Sequence, residues 1–421
     1  MGEGDSSAKG LTRRGALAGA ALFGAGVAFD RVLPSGEGKS DGAQGDALER
    51  VEFYGSRQAG IATPSPEFLH FAAFDVTSGS ADDLRELLRE WTLAAAKLTA
   101  GGEYQPTPLE AEAVPTDTGE ALGHGAQRLT LTFGFGPSLF GLDGADRFGL
   151  AGRRPVALTP LPRFTGESID PARSDGDLCV QACAENPQVA FHAVHVLSRL
   201  ASGAATLRWS QAGFGRTSST SRDQPTPRNL MGFKDGTNNI RGEEEEAMER
   251  FVWVQPQDGS AWMAGGTYLI ARRIRMLFDV WDGTSLEGQE RVIGRDKVEG
   301  APLGQREEYD AVDLEASRGG EPAIPTDAHI RLASPHNNDG QRILRRGYSY
   351  SEPTDPGSGQ IDAGLFFICF QRDPERQFVP IQRRLAASDA LNRHTLHTAS
   401  ALFACPPGVE PGGFIGEGLF A

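Results

Sequence analysis

Cysteine is scarce in this chain. Four in 421 residues, at positions 179, 183, 369 and 405, are too few to staple a protein of this length. None lies in a C-x-x-C-H run, so covalent attachment of a c-type haem is not indicated. Cys179 and Cys183, four apart, read as two small buried apolar residues on one helical face. There is no H-E-x-x-H, no G-x-S-x-G and no P-loop, which removes the zincin, serine-hydrolase and P-loop nucleotidase signatures. Positive charge is also short: 41 Lys and Arg against 56 Asp and Glu leave a formal net charge of -15. A surface that acidic repels nucleic acid, and no basic run with interleaved aromatics overrides it. The apolar run at residues 15–29 falls short of the ~20 residues that a spanning helix needs.

What is present points to a globular chain. A 39% hydrophobic content suffices for one large domain or two medium ones, and 53 glycines with 26 prolines favour turns and long loops over a helix bundle. Thr12-Arg13-Arg14 before the short Gly/Ala-rich run reads as a secretion signal, and the paired arginines point to the twin-arginine route, with Ala16 where a phenylalanine is usual. Residues 34–48 are rich in Gly, Ser, Asp and Ala and form a linker. The expected organisation is signal and linker over 1–50, an N-terminal unit over 51–225 and a C-terminal unit over 226–421, with the polar stretch 215–228 as boundary.

Residues 68–76 read as a buried strand. Ser80, followed three residues later by Asp83, opens a helix whose Leu84, Leu87, Leu88, Trp91, Ala95 and Leu98 form one apolar stripe. Leu129, Leu131, Phe133 and Phe135 alternate with small or polar residues, giving a strand that runs into a turn and a short helix at 134–140. A helix is expected over 189–200, strands over 264–276 and 364–371, and a helix over 380–385. Strand-then-helix pairs in both halves suggest two related α+β units with antiparallel sheets.

Chemistry concentrates in three segments. In Met231–Asn239, MGFKDGTNN, Gly232 and Gly236 flank Asp235 and allow positive φ or a close approach; alone, such a Gly-x-x-Asp-Gly is a common turn. In Ala328–Pro335, AHIRLASP, His329 is one of only eight histidines, each of low prior as a ligand. His192 and His195, three apart on a helix, could pair on a metal, but no third ligand is obvious. In Ile343–Tyr350, ILRRGYSY, Arg345 and Arg346 sit on a strand whose neighbours point to opposite faces. One of them should face inward, where a buried guanidinium needs an anionic partner.

Together these pieces resemble the dye-decolorising peroxidase family, most nearly its Tat-exported deferrochelatase/peroxidase branch. The likeness rests on GFKDGTNN, AHIRLASP, ILRRGYSY, GLFFICFQRDPERQFVPIQRRLA and SALFACPPG, with RQAGIATP, LTFGFGPSLF and GDLCVQACAENP in the first half, in order from about Val51 to the end. The resemblance implies an α+β fold of two ferredoxin-like units and one non-covalent haem b, held mainly by the C-terminal unit. Asp235 matches the distal acid, His329 the axial iron ligand and Arg345 the distal arginine. Asn239, Gly236 and Gly347 match positions around the pocket. In many relatives an acidic residue just after an ALN stretch bonds the axial histidine; here Ala390-Leu391-Asn392 is followed by Arg393, so that partner is open.

The implied reaction is oxidation of dyes, phenols or other reducing substrates by hydrogen peroxide through a ferryl intermediate. A carboxylate can carry the peroxide proton, a guanidinium can stabilise the departing hydroxide, and an imidazole donates to the iron. Bulky dyes would need electron transfer to surface aromatics; Tyr348 and Tyr350 are the nearest in sequence, with strand packing their more ordinary role. The resemblance also leaves room for a haem-processing role beside an iron-uptake system. A non-catalytic α+β scaffold is the remaining alternative.

Overall fold

The computed structural model describes residues 50–105, 112–115, 117–142, 144–354 and 359–421, all within the unit Gly42–Ala421; the expected signal and linker lie outside the described residues. Strand β1 (Phe68–Val76) leads to Ser80, whose hydroxyl accepts the amide N–H groups of Asp82 and Asp83 and starts helix α1 (Ala81–Thr99). All six apolar residues of the expected stripe on α1 are buried. Burying side chains of that size stabilises by roughly 1.5–3 kcal/mol each, which is what holds α1 on the sheet. Strands β2 (Thr130–Phe135) and β3 (Leu178–Ala184) follow, then α2 (Pro187–Leu200), capped by the Asn186 side chain on the Gln188 N–H, and β4 (Ala205–Arg216).

The second half adds α3 (Glu245–Phe251), β5 (Thr267–Met276), α4 (Phe278–Asp282), α5 (Leu286–Ile293) and a two-stranded hairpin of β6 (Ser317–Arg318) and β7 (Glu321–Pro322). It continues through α6 (His329–Leu332), β8 (Leu344–Arg345), β9 (Tyr348–Glu352), β10 (Asp362–Gln371), α7 (Phe378–Ser388) and β11 (Thr395–Cys405). The strands of each half lie side by side in the orders β2-β3-β1-β4 and β11-β5-β10-β9, all antiparallel. The halves join at both edges. Ala404 of β11 pairs with Phe135 of β2, and Phe214 of β4 pairs with Ser349 of β9. The eight strands thus close on themselves, with β8 attached to β10. The chain is an α+β protein built on antiparallel strands.

Two expectations change. Residues 179–183 lie in strand β3, not on a helix. Every residue of LCVQACA is buried because β3 is interior to the sheet, between β1 and β2, and covered on both faces, which erases the alternation that marks a strand. Positions four apart share a face on a strand as well, so Cys179 and Cys183 still enter one core cluster, beside Phe71 and Phe403; all four cysteines are free and buried. The strand expected over 343–350 is interrupted at Arg346 and Gly347, separating β8 from β9. A side chain at Gly347 would come within 2.8 Å of the Thr217 hydroxyl and 3.1 Å of Leu365, so the backbone there must be bare.

Alternation along three strands makes a floor. Ile274 and Met276 of β5, Leu365 and Phe367 of β10, and Thr395 and His397 of β11 line one cavity. Helices α6 and α7 and the loops around residues 229–238 and 308–312 supply its other lining.

Candidate active site

The cavity measures about 510 Å³, within the range of small-molecule and cofactor sites. Asp235 reaches it from a loop held open by glycine: φ is +85° at Gly232 and +95° at Gly236. A Cβ at Gly236 would lie 2.9 Å from the Ser218 backbone, so only glycine allows the loop to pass there. The Asp235 N–H donates to Pro227 O at 2.9 Å, fixing the backbone behind the carboxylate. Arg345 Nη1 donates to Asp235 Oδ1 at 2.6 Å, and Asn229 Nδ2 to Oδ2 at 3.3 Å. Both carboxylate oxygens are therefore aimed by partners.

Asn239 does not line the cavity. Its side chain is buried and clamps the Arg345 backbone, accepting the Arg345 N–H at 2.8 Å and donating to Arg345 O at 2.8 Å. Gly236 does line it; Gly347 does not. The adjacent arginines part as strand geometry requires, but the outcome differs from expectation. Arg345 faces the cavity and carries the ion pair, whereas Arg346 is wholly buried and no carboxylate among the described residues pairs with it. Its guanidinium bonds the Thr63 carbonyl and, at 3.3 Å, the Thr220 hydroxyl.

His329 opens α6 and lines the same cavity. Its Nδ1 lies 2.7 Å from Asp389 Oδ2, while Asp389 Oδ1 accepts the Leu391 N–H at 2.8 Å. Burial acts against charge on the imidazole, yet the Asp389 carboxylate outweighs it and raises the ring above its usual pKa. Asp235 and Arg345 line the same cavity and also act electrostatically on His329. The partner left open by sequence is thus Asp389, the residue before Ala390-Leu391-Asn392 and not one after it. Its signal was that of a cap: aspartate before the short turn Ala390–Arg393. With Nδ1 engaged, Nε2 is the nitrogen left for a ligand.

His192 and His195 do find a third group. Glu120 Oε2 lies 2.8 Å from His192 Nδ1 and Oε1 lies 2.6 Å from His195 Nδ1. Burial would raise the Glu120 carboxyl, but hydrogen bonds from Thr118, His192 and His195 bring it down to about 2. The contacts are hydrogen bonds, and among the described residues no group of three His, Cys, Asp or Glu is set to hold a metal ion. Tyr348 and Tyr350 are fully buried, so neither meets solvent, whereas Tyr309 lines the cavity and is 62% exposed.

The chain matches two family models: Dyp-type peroxidase, N-terminal, over residues 58–215, and Dyp-type peroxidase, C-terminal, over residues 226–410. It is 40% identical over 445 residues to a dye-decolorizing peroxidase of Thermobifida fusca (strain YX), covering 100% of this chain and 99% of the relative. It is 38% identical over 367 residues to a deferrochelatase of Escherichia coli (strain K12), covering 86% and 85%. Among solved structures, ferric DtpA from Streptomyces lividans matches with a TM-score of 0.80 at 41% identity, over 89% of this chain and 99% of that one. A DyP-type peroxidase from Cellulomonas bogoriensis matches with a TM-score of 0.78 at 39% identity, over 88% and 98%. With an Asp–Arg pair and an Asp-supported histidine at one cavity, and both halves matched by the family's models, the chain belongs to the DyP-type peroxidase family, a family of haem-dependent oxidoreductases.

Proposed function

We propose that the cavity holds one haem b without covalent attachment and that the protein uses hydrogen peroxide to oxidise dyes, phenols or other reducing substrates. The observation that carries this reading is the meeting of His329–Asp389 and Asp235–Arg345 at a single cavity with an apolar floor. A lone imidazole with a carboxylate behind it suits an iron whose other ligands a porphyrin would supply; a bare ion would need more side chains. Haem, when bound, supplies the redox chemistry. The protein's own share is positional and electrostatic. His329 offers Nε2 to the iron while Asp389 fixes its tautomer. Asp235 would take the proton from one peroxide oxygen and return it to the other, which would leave as water, and Arg345 would hold fixed positive charge beside the negative charge that develops as the O–O bond breaks. Absorption spectra before and after stoichiometric peroxide test the reading: a Soret band that shifts on mixing and returns with a reducing dye supports it. A purified protein that takes up no haem on supplementation would overturn it.

A second reading has its own support in the 38% identity to a deferrochelatase. On that reading the protein releases iron from haem, leaves the porphyrin intact and works beside an iron-uptake system. Product analysis separates the two: iron-free porphyrin in one case, dye turnover in the other. For neither reading does Asp389 lose its importance. Asp389→Asn should weaken haem binding or turnover by about 10–100-fold, as loss of a partner behind a metal-bound histidine commonly does. A haem titration giving the unsubstituted affinity, together with unsubstituted turnover, would count against the assignment.

Export by the twin-arginine route, to the periplasm, cell surface or medium, is proposed from Arg13-Arg14 and the short apolar run after them. That route carries folded proteins and suits an enzyme loaded with cofactor before export. Changing both arginines to lysine should strand the protein in the cytoplasm, as read by fractionation; undiminished export would refute the route.

A further inference from the structure

Asp235 is useful only where its loop places it, and that loop is held from outside by a residue that plays no part in the sequence motif. Glu308 comes from the segment after α5, more than seventy residues along the chain. Its Oε2 accepts from Lys234 Nζ at 2.7 Å and its Oε1 from the Thr237 hydroxyl at 3.0 Å. Lys234 and Thr237 bracket Asp235, one residue before it and two after. The Thr226 hydroxyl, further up the same loop, lies 2.9 Å from the hydroxyl of Tyr309, the residue after Glu308. All three of Lys234, Thr237 and Glu308 line the cavity, and the Glu308 side chain is only 11% exposed.

The two segments are built to fit. A Cβ at Gly300 would lie 2.8 Å from the Lys234 stem, so glycine lets that stem pass to Glu308. Arg295, nearly buried, donates to Gly300 O at 2.6 Å and to Glu308 O at 3.0 Å, fixing the backbone that carries the carboxylate. We infer that Glu308 is a positioning residue for Asp235: it latches the acid loop over the cavity and balances the Lys234 charge beside the reacting carboxylate. The kinetic part of this inference rests on the peroxidase reading; the structural part does not.

Glu308→Gln tests it with little change of shape. A carboxylate accepts from Lys234 and Thr237 with full charge, whereas an amide keeps its oxygen for Lys234 and donates its NH₂ to the Thr237 hydroxyl, so both contacts lose the charge that strengthens them. In haem-free protein, amide hydrogen exchange of the peptide spanning residues 229–240 should become several-fold faster, with other peptides unchanged. In haem-loaded protein, the second-order rate with peroxide should fall by about 10–100-fold, the range over which small misplacements of a reacting group act. The acid limb of its pH profile should move to lower pH, because one negative charge has left the vicinity of Asp235 and Lys234 is unopposed. Thr237→Val, which cuts one anchor and keeps the charge, should loosen the loop without moving that limb. Unchanged exchange in Glu308→Gln overturns the latch. Faster exchange with the unsubstituted rate and acid limb overturns the positioning role. A parent protein inert to peroxide would strike at the peroxidase reading instead and leave the haem-free exchange to decide the latch.

Discussion

His329→Ala should emerge from purification with less than about a tenth of the haem of the unsubstituted protein, because removing the iron ligand costs at least what losing its supporting partner costs. Retention should not vanish entirely, since Ile274, Met276, Leu365 and Phe367 still offer the macrocycle an apolar floor. The residual haem should show a displaced Soret band, and added imidazole should restore position and intensity by filling the space that the truncation leaves. A second effect separates the ligand role from simple packing. Asp389 is buried and spends Oδ2 on His329 Nδ1. Deleting the ring strands that oxygen, so the haem-free variant should lose about 1–3 kcal/mol of stability in denaturant titration. Full haem occupancy with an unchanged Soret band would remove His329 as the axial ligand.

That histidine, Asp235 and Arg345, each singled out within a short local motif, line one cavity. Residues 68–76 were legible as a buried strand, with the bounds of β1, because three phenylalanines and a valine mark a strand even though both of its faces enter the core. Legibility failed in β3, where burial on both faces removes alternation and LCVQACA has a single valine and no aromatic residue to mark a strand. It failed again for residues whose role is fixed by a distant segment. Asp389 lies 60 positions from His329, and Glu308 lies 74 from Lys234; in sequence the first looks like a helix cap and the second like one more surface acid. The family resemblance placed Asn239 around the pocket, yet its amide faces the Arg345 backbone. Arg346 shows the limit of charge reasoning. A buried guanidinium calls for an anion on energetic grounds, but here it bonds a carbonyl and a hydroxyl.

Arg345→Leu should slow the reaction of haem-loaded protein with peroxide by about 10²–10³-fold, the usual consequence of deleting a preorganised charge that stabilises a developing anion. Asp235→Asn should slow the same step by about 10²–10⁴-fold, since it leaves a side chain that cannot take up the peroxide proton. Stopped-flow mixing, followed at the Soret band under pseudo-first-order peroxide, reads both. Haem content should be nearly unchanged in each, which distinguishes these residues from His329, because neither substitution removes the iron ligand. The double variant carries the sharper information. Arg345 Nη1 and Asp235 Oδ1 share a hydrogen bond of 2.6 Å, so each single substitution already disturbs the other residue. The combined loss should therefore be smaller than the product of the two, as expected of groups that act as a unit. Losses that multiply would mean the two residues act in separate steps. No change in the peroxide step for either single variant would mean that proton and charge are handled elsewhere in the cavity.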